Sequence, residues 1–385
     1  MTMNLENEHN VWILGAGFSR DRGLPLMSDF TQRIRDAHPW LLALGRAREA
    51  EAIERVLEYR LHSTAAAYHV DVDLENIEQL FSLASISESP LDKEIRVAIA
   101  ATLDFAESQS PAPMAKFDLG PHFEAPGKEW IVKGKAQGRL DGWQTWEADV
   151  YQFYLACMLG RFSGRATDPS VKTTIITLNY DVVVERALRA LDVGFTYGFG
   201  KQRVNYDPTK MCADYPALGA VPVLKLHGSV NWALVPGRGH GFTVFGSYAN
   251  VRESAADPSL LPPTWDKHFD DRLRAVWQAA MAALSTATRV IVIGFSMPET
   301  DLHFRYLLAA GLAQNISLRS FHFVNPAAEI EDRMKRLLRV SGKVVPEVHV
   351  DPVNTRAYFA RFGEAERGPR LGRADLGEPG LVWIG

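Results

Sequence analysis

Five short runs of β-forming residues constrain this chain more than any other feature. They are VWIL (11–14), TTIITL (173–178), VPVLKL (221–226), RVIVIGFS (289–296) and SFHFVN (320–325). Most are continuously apolar and do not alternate, which is the pattern of parallel strands covered on both faces. Several run straight into Gly, Asn, Asp, Ser or His. In open α/β sheets ligands bind beyond the carboxyl ends of the strands, where such residues collect. Helical patterns lie between the runs: DVVVERALRAL (181–191), DDRLRAVWQAAMAALSTA (270–287) and PAAEIEDRMKRLLRV (326–340). Pro326 suits the first turn of the last of these. The alternation predicts an α/β fold, a Rossmann-like doubly wound parallel sheet.

The first two strands stand far apart, and the stretch between them is too long for one crossover. RAREAEAIERVLEYRLHS, LENIEQLFSLASIS and WEADVYQFYLACML read as amphipathic helices, and ESQSPAPMAKFDLGPHFEAPGKEW as loop. Residues 31–170 are therefore expected to form a large helical insertion. The expected Rossmann-like core comprises 1–30 and 171–350, with a C-terminal extension over 351–385 that is loosely packed after 363. Residues 235–268, rich in Gly, Pro and Ser, read as irregular. A length of 385 residues fits one large domain with such an insertion, or two domains.

Composition removes several classes of function. A net charge of −4 gives no overall reason to expect direct nucleic-acid binding or an anionic membrane. The two cysteines, Cys157 and Cys212, exclude both a four-thiolate zinc site and a disulfide framework, so no zinc is expected. No apolar stretch reaches 18 residues, no membrane span is predicted, and a cytoplasmic location is the default expectation. The eleven histidines do not cluster, and no phosphate-binding P-loop or nucleophile elbow occurs.

The chemistry sits at the strand ends. In GAGFSRDRGLP, Gly15 and Gly17 permit a tight turn and close approach of backbone N–H groups to a phosphate. The dinucleotide fingerprint fails there, because Arg20 stands where a third glycine belongs, and the usual downstream acidic residue is missing. Ser19 is suited to a phosphate or ribose, and Gly23-Leu24-Pro25 closes the loop. A glycine turn with no ligand is the competing reading of this stretch. In TLNYD, Asn179 offers both donor and acceptor, suited to a ribose hydroxyl or a water, or to a turn; Asp181 reads as a cap. In KLHGSVNW, His227 titrates near neutrality and can take a proton from water, although a structural histidine is an equal reading. Gly294 and Ser296 in GFSMPETD, and Asn325 in FVNP, repeat the pattern of a strand emptying into a polar turn.

Taken in order, GAGFSRDRGLP, TLNYD, LHG, GFS and VN resemble the sirtuin-like family, over perhaps half the chain. NIEQLFSLAS and GFSMPETDLHFRYLL are further similar to its bacterial antiphage-defence branch. The chain departs from protein-deacylating sirtuins in lacking four zinc-binding cysteines and the Asp-Phe-Arg stretch after G-x-P; LMSDF follows Pro25 instead.

The resemblance implies an enzyme that consumes NAD+ as substrate, hydrolysing the nicotinamide–ribose bond to nicotinamide and ADP-ribose as a NAD-depleting antiviral effector. It implies Asn179 and His227 as catalytic residues. The loop of Gly15, Ala16, Gly17, Phe18 and Ser19, closed by Gly23 and Pro25, would bind the diphosphate, with Asp181, Gly294, Ser296 and Asn325 completing the NAD site. It further implies a homo-oligomer and a HerA-like hexameric ATPase partner. Two alternatives use the same residues or the same ligand: ADP-ribosyl or acyl transfer to a protein, and a non-catalytic NAD or ADP-ribose sensor subunit.

Overall fold

A computed structural model describes residues 8–64, 69–86, 91–110, 114–119, 135–140, 143–159, 171–200, 205–206, 220–234, 242–264, 271–297, 301–338 and 347–365. Its centre is a seven-stranded sheet ordered Glu347–Asp351, Ser320–Val324, Arg289–Ile293, His9–Leu14, Lys172–Thr177, Val221–Lys225 and Phe195–Thr196. All of its pairings are parallel. Val11, Trp12, Ile13 and Leu14 are all fully buried. Successive side chains point to opposite faces of a strand, so both faces of the sheet are covered. Continuous apolar runs follow from that geometry.

The first strand lies in the middle. Chain order moves to one side of it through 172–177 and 221–225, then to the other through 289–293, 320–324 and 347–351. The reversal places a switch point between His9–Leu14 and Arg289–Ile293, which is where an open α/β sheet forms its ligand crevice.

All five predicted runs are strands, most of them ending one to three residues earlier than the sequence suggests. The 181–191, 270–287 and 326–340 patterns hold helices Val183–Ala190, Arg274–Thr286 and Ile330–Leu337. Pro326 lies four residues ahead of its helix, outside the first turn expected for it. Between the first two strands lie Phe30–Ala43, Ala47–His62, Ile77–Ser85, Asp92–Gln109 and Val150–Met158.

Several local readings need correction. WEAD belongs to a strand, Trp143–Asp149, and Asp149 caps the following helix by accepting from the Tyr151 amide at 2.9 Å. Met114–Leu119, read as loop, pairs antiparallel with that strand, as does Lys135–Leu140. The stretch between the first two strands thus carries a small antiparallel sheet among its helices. The 235–268 stretch contains helix Tyr248–Glu253 and strands Thr243–Val244 and Asp257–Leu260, in a second sheet with Gly228–Leu234 and Asn205–Tyr206.

Glu347–Asp351 is an edge strand of the main sheet, and Thr355–Ala365 is a helix docked on the core. Phe359 is fully buried, stacked on Tyr154 at 4.5 Å between ring centroids and on Trp12 at 6.3 Å. The remaining tail, 366–385, lies outside the described residues.

Candidate active site

Strand register aligns the ends of the core strands. Leu14 pairs with Thr177 on one side and Ile293 on the other; Thr177 pairs with Lys225, and Ile293 with Val324. The strands ending at Leu14, Thr177, Lys225, Ile293 and Val324 therefore stop at one level. Gly15, Asn179, His227, Gly294 and Asn325, each one or two positions further on, are gathered along one edge.

At the switch point two backbones touch. The amides of Gly15 and Gly17 donate to Ile293 O at 2.9 Å and Gly294 O at 2.8 Å, and the Phe18 amide donates to Gly15 O at 2.9 Å. A Cβ on Gly17 would lie 2.8 Å from Gly294 Cα, and one on Gly294 (φ +65°) would lie 2.3 Å from Phe18 N. Only glycine fits such an approach. Three amides read from sequence as a phosphate cradle are thus committed to protein carbonyls. The chain continues as a 3-10 helix, Ala16–Arg22, whose last turn Gly23 closes in the left-handed region, its amide donating to Arg20 O. Arg20, in place of the missing glycine, pairs with Asp29 at 2.5 Å.

Phe18 is fully buried, its ring edge-on to Tyr151 at 5.5 Å, and the Tyr151 hydroxyl donates to Phe18 O at 3.0 Å. Pro25 is also buried. Both residues anchor the loop from below.

Asn179 is tied into this loop. Its Nδ2 donates to Gly15 O at 2.9 Å and Ser19 Oγ at 3.0 Å. Both amide protons are spent, and among the described residues no protein group donates to Oδ1. The remaining function is an acceptor, suited to a hydroxyl or a water. Ser19 is buried and bonds in turn to the Asp181 carboxylate. It acts as a link between two side chains, where the sequence suggested a phosphate or ribose contact. Asp181 also accepts from the Val183 amide at 3.0 Å. Burial pushes its carboxyl above the usual range, against the pull of Lys225, the Val183 amide and Ser19.

His227 is buried and stands 6.3 Å, centroid to centroid, from the Tyr180 ring. Leu261 joins the two: its amide donates to His227 O at 2.8 Å, and its carbonyl accepts from the Tyr180 hydroxyl at 2.5 Å. Gly228 (φ +78°) lets the chain turn here, since a Cβ would lie 2.4 Å from Ser259 O. Burial pushes the Tyr180 phenol well above its ordinary range, with Asp301 and Glu78 adding to it, so it remains a donor. Tyr180 thereby joins the candidate site; it stands inside TLNYD, where the sequence singles out only Asn179 and Asp181.

On the other side, Asn325 Nδ2 donates to Phe295 O at 3.0 Å and Oδ1 accepts from the Ala327 amide at 2.9 Å. Its side chain braces the GFS loop and the next turn. Ser296 is exposed, and its carbonyl accepts from Arg333 at 2.9 Å. Thr355 Oγ1 donates to Gly17 O at 3.1 Å, so the C-terminal helix also supports the glycine loop. No sequence signal near residue 355 pointed to that contact.

Among the described residues, no group of three His, Cys, Asp or Glu side chains is placed to hold a metal, and no helix is long and apolar enough to cross a membrane. A family profile described as a SIR2-like domain matches residues 173–344. That span contains Asn179, Asp181, His227, Gly294, Ser296 and Asn325, and excludes the glycine loop. Similar solved structures include SIR2 in complex with an inhibitor, 2′-O-acetyl-ADP-ribose and a deacetylated peptide, at 12% identity over 94% of each chain with a TM-score of 0.36. Sir2Tm bound to a propionylated peptide gives the same identity, coverage and TM-score. A sirtuin structure concerned with substrate affinity is 13% identical over 96% of this chain and 100% of its own, with a TM-score of 0.40. No curated protein matches the sequence significantly.

Proposed function

From the SIR2-like domain at 173–344 and the loops that converge on Asn179, we propose that this chain is an NAD+ glycohydrolase, cleaving the nicotinamide–ribose bond to give nicotinamide and ADP-ribose. The observation that carries the reading is the state of Asn179. Its two N–H bonds are fixed on the glycine loop, and one acceptor atom is left for a ribose hydroxyl or a water. The core, 1–30 with 171–350, supplies the site.

The chemistry is an N-glycosidic cleavage with oxocarbenium character in the transition state. Nicotinamide leaves with the bonding electron pair and needs no general acid. A water oxygen bonds to the ribose carbon, and His227 takes its proton. Asn179 holds the water or the ribose, and the buried walls around Tyr180 and His227 limit competing water. With two cysteines the chain has no four-thiolate zinc module, which favours hydrolysis over the deacylation of a bound peptide.

The biological role we infer is NAD depletion in antiphage defence, gated by homo-oligomerisation or by a HerA-like ATPase, with the 31–170 insertion available as lid or assembly surface. The resemblance of NIEQLFSLAS and GFSMPETDLHFRYLL to the defence branch supports this reading.

The test is incubation with NAD+, with and without the partner, following nicotinamide and ADP-ribose by chromatography. Equimolar release, lost in Asn179→Ala and His227→Ala, is the expected result. Release that depends on an acceptor protein turns the assignment to group transfer. Binding without release in either condition makes the chain a sensor. Light scattering checks the assembly: a constitutively active monomer contradicts the gating.

A further inference from the structure

Lys225 ends its strand two positions before His227 and is 1% exposed, as is its partner Glu185. Its Nζ stands 3.1 Å from Glu185 Oε1 and donates to the backbone carbonyl of Asp181. A fully buried ammonium is costly unless paired and hydrogen-bonded, and apolar side chains fill such space at no electrostatic cost. Filling the core therefore does not account for a lysine here. What the ammonium adds is a donor for Asp181 O.

The segment after His227 is anchored to the same place. The Val230 amide donates to Tyr180 O at 3.0 Å, and the Ser229 hydroxyl lies 3.2 Å from that carbonyl. His227 thus sits between an anchor at 225 and another at 229–230, and both hold consecutive carbonyls of the segment that carries Asn179. The network continues inward: Tyr197 Oη donates to Glu185 Oε1 at 3.1 Å and accepts from Asn231 Nδ2 at 3.3 Å.

We propose that Lys225, paired with Glu185, is a positioning residue that fixes the separation of Asn179 and His227, and so the geometry of the hydrolytic step; this inference rests on the hydrolase reading above. Neither side chain touches substrate. Lys225 acts through the Asp181 carbonyl, and Glu185 keeps the ammonium in place.

The test is Lys225→Met/Glu185→Gln, which removes both buried charges and keeps an acceptor for Tyr197. The expected result is a folded protein whose kcat falls by about 10²-fold with KM little changed, since small misplacements of reacting groups cost that much. Parental kcat in the folded double variant overturns the proposal. Hydrogen exchange separates this outcome from failure of the hydrolase reading: if the parent releases no nicotinamide, faster exchange at Val183 and Val230 in the variant still supports the positioning role. Unchanged exchange there overturns it. Should the pair not accumulate as folded protein, Lys225→Gln carries the same two readouts.

Discussion

Asn179 spends both protons of its side-chain amide on the glycine-rich loop, at 2.9 Å to Gly15 O and 3.0 Å to Ser19 Oγ. Two segments 160 or more residues apart in sequence are thereby locked into one surface. Ser19→Ala removes the shared hydroxyl and leaves Asn179 and Asp181 each short of one partner. The expected loss is about 1–3 kcal/mol of stability, with turnover falling more than KM changes. Urea unfolding and steady-state nicotinamide release check it; unchanged kcat would show that the link does not orient Asn179.

Gly294 and Gly45 make a controlled comparison. Both have positive φ, +65° and +68°, but a Cβ at Gly45 meets nothing within 4 Å, whereas at Gly294 it lies 2.3 Å from Phe18 N. Gly45→Ala should cost about 1–2 kcal/mol, the backbone term alone. Gly294→Ala should cost clearly more, because two backbones must separate, and NAD+ turnover should collapse with it. Denaturant midpoints of the two variants measure the difference, and equal midpoints would refute the packing argument.

His9 sets an acid dependence at the opposite end of the sheet. Its ring bridges Thr286 Oγ1 and Thr174 Oγ1, both at 2.9 Å, and burial first, then Lys172, lowers its pKa from 6.5 to about 4. The folded protein keeps a neutral imidazole down to about pH 4, while the unfolded chain takes up a proton near pH 6.5. Its contribution is therefore complete above pH 6.5 and is lost as pH falls towards 4, by about 3 kcal/mol in the limit. His9→Gln should flatten that part of the stability–pH curve relative to the parent. Urea midpoints between pH 7 and 4.5 give the comparison, and parallel curves would count against it.

Phe359→Ala should cost about 3–5 kcal/mol, the usual range for deleting a buried aromatic ring. It should also loosen Thr355 from Gly17 O, so turnover of NAD+ falls beyond what the fraction unfolded explains. Thermal unfolding with parallel activity measurements separates the two effects. A variant as stable as the parent would make the C-terminal helix an accessory.

The sheet is the part that sequence makes most legible. VWIL, TTIIT, VPVLK, RVIVI and SFHFV are apolar because both faces of each strand are covered, and that pattern is local. The edge strand Glu347–Asp351 escaped notice because EVHVD alternates and is only half-buried. Trp143–Asp149 looked helical because WEAD leads into a true helix, and its strand state depends on partners at 114–119 and 135–140. Gly228–Leu234 was hidden behind the histidine turn, since its pairing with Asp257–Leu260 is made across a connection rich in Gly and Pro.

The sequence by itself determined the five central strands of the sheet, and it placed Asn179, His227, Gly294 and Asn325 just beyond their ends. Apolar runs and their polar stops are properties of neighbouring residues. Tertiary structure alone decided what those residues do. Gly15, Gly17 and Gly294 serve backbone contact, Ser19 became a link, Asn325 a brace, and Lys225 an anchor for Asp181 O. The physical reason is that a hydrogen-bonding group is assigned by whatever partner the fold brings within 3 Å, and most partners here come from distant parts of the chain.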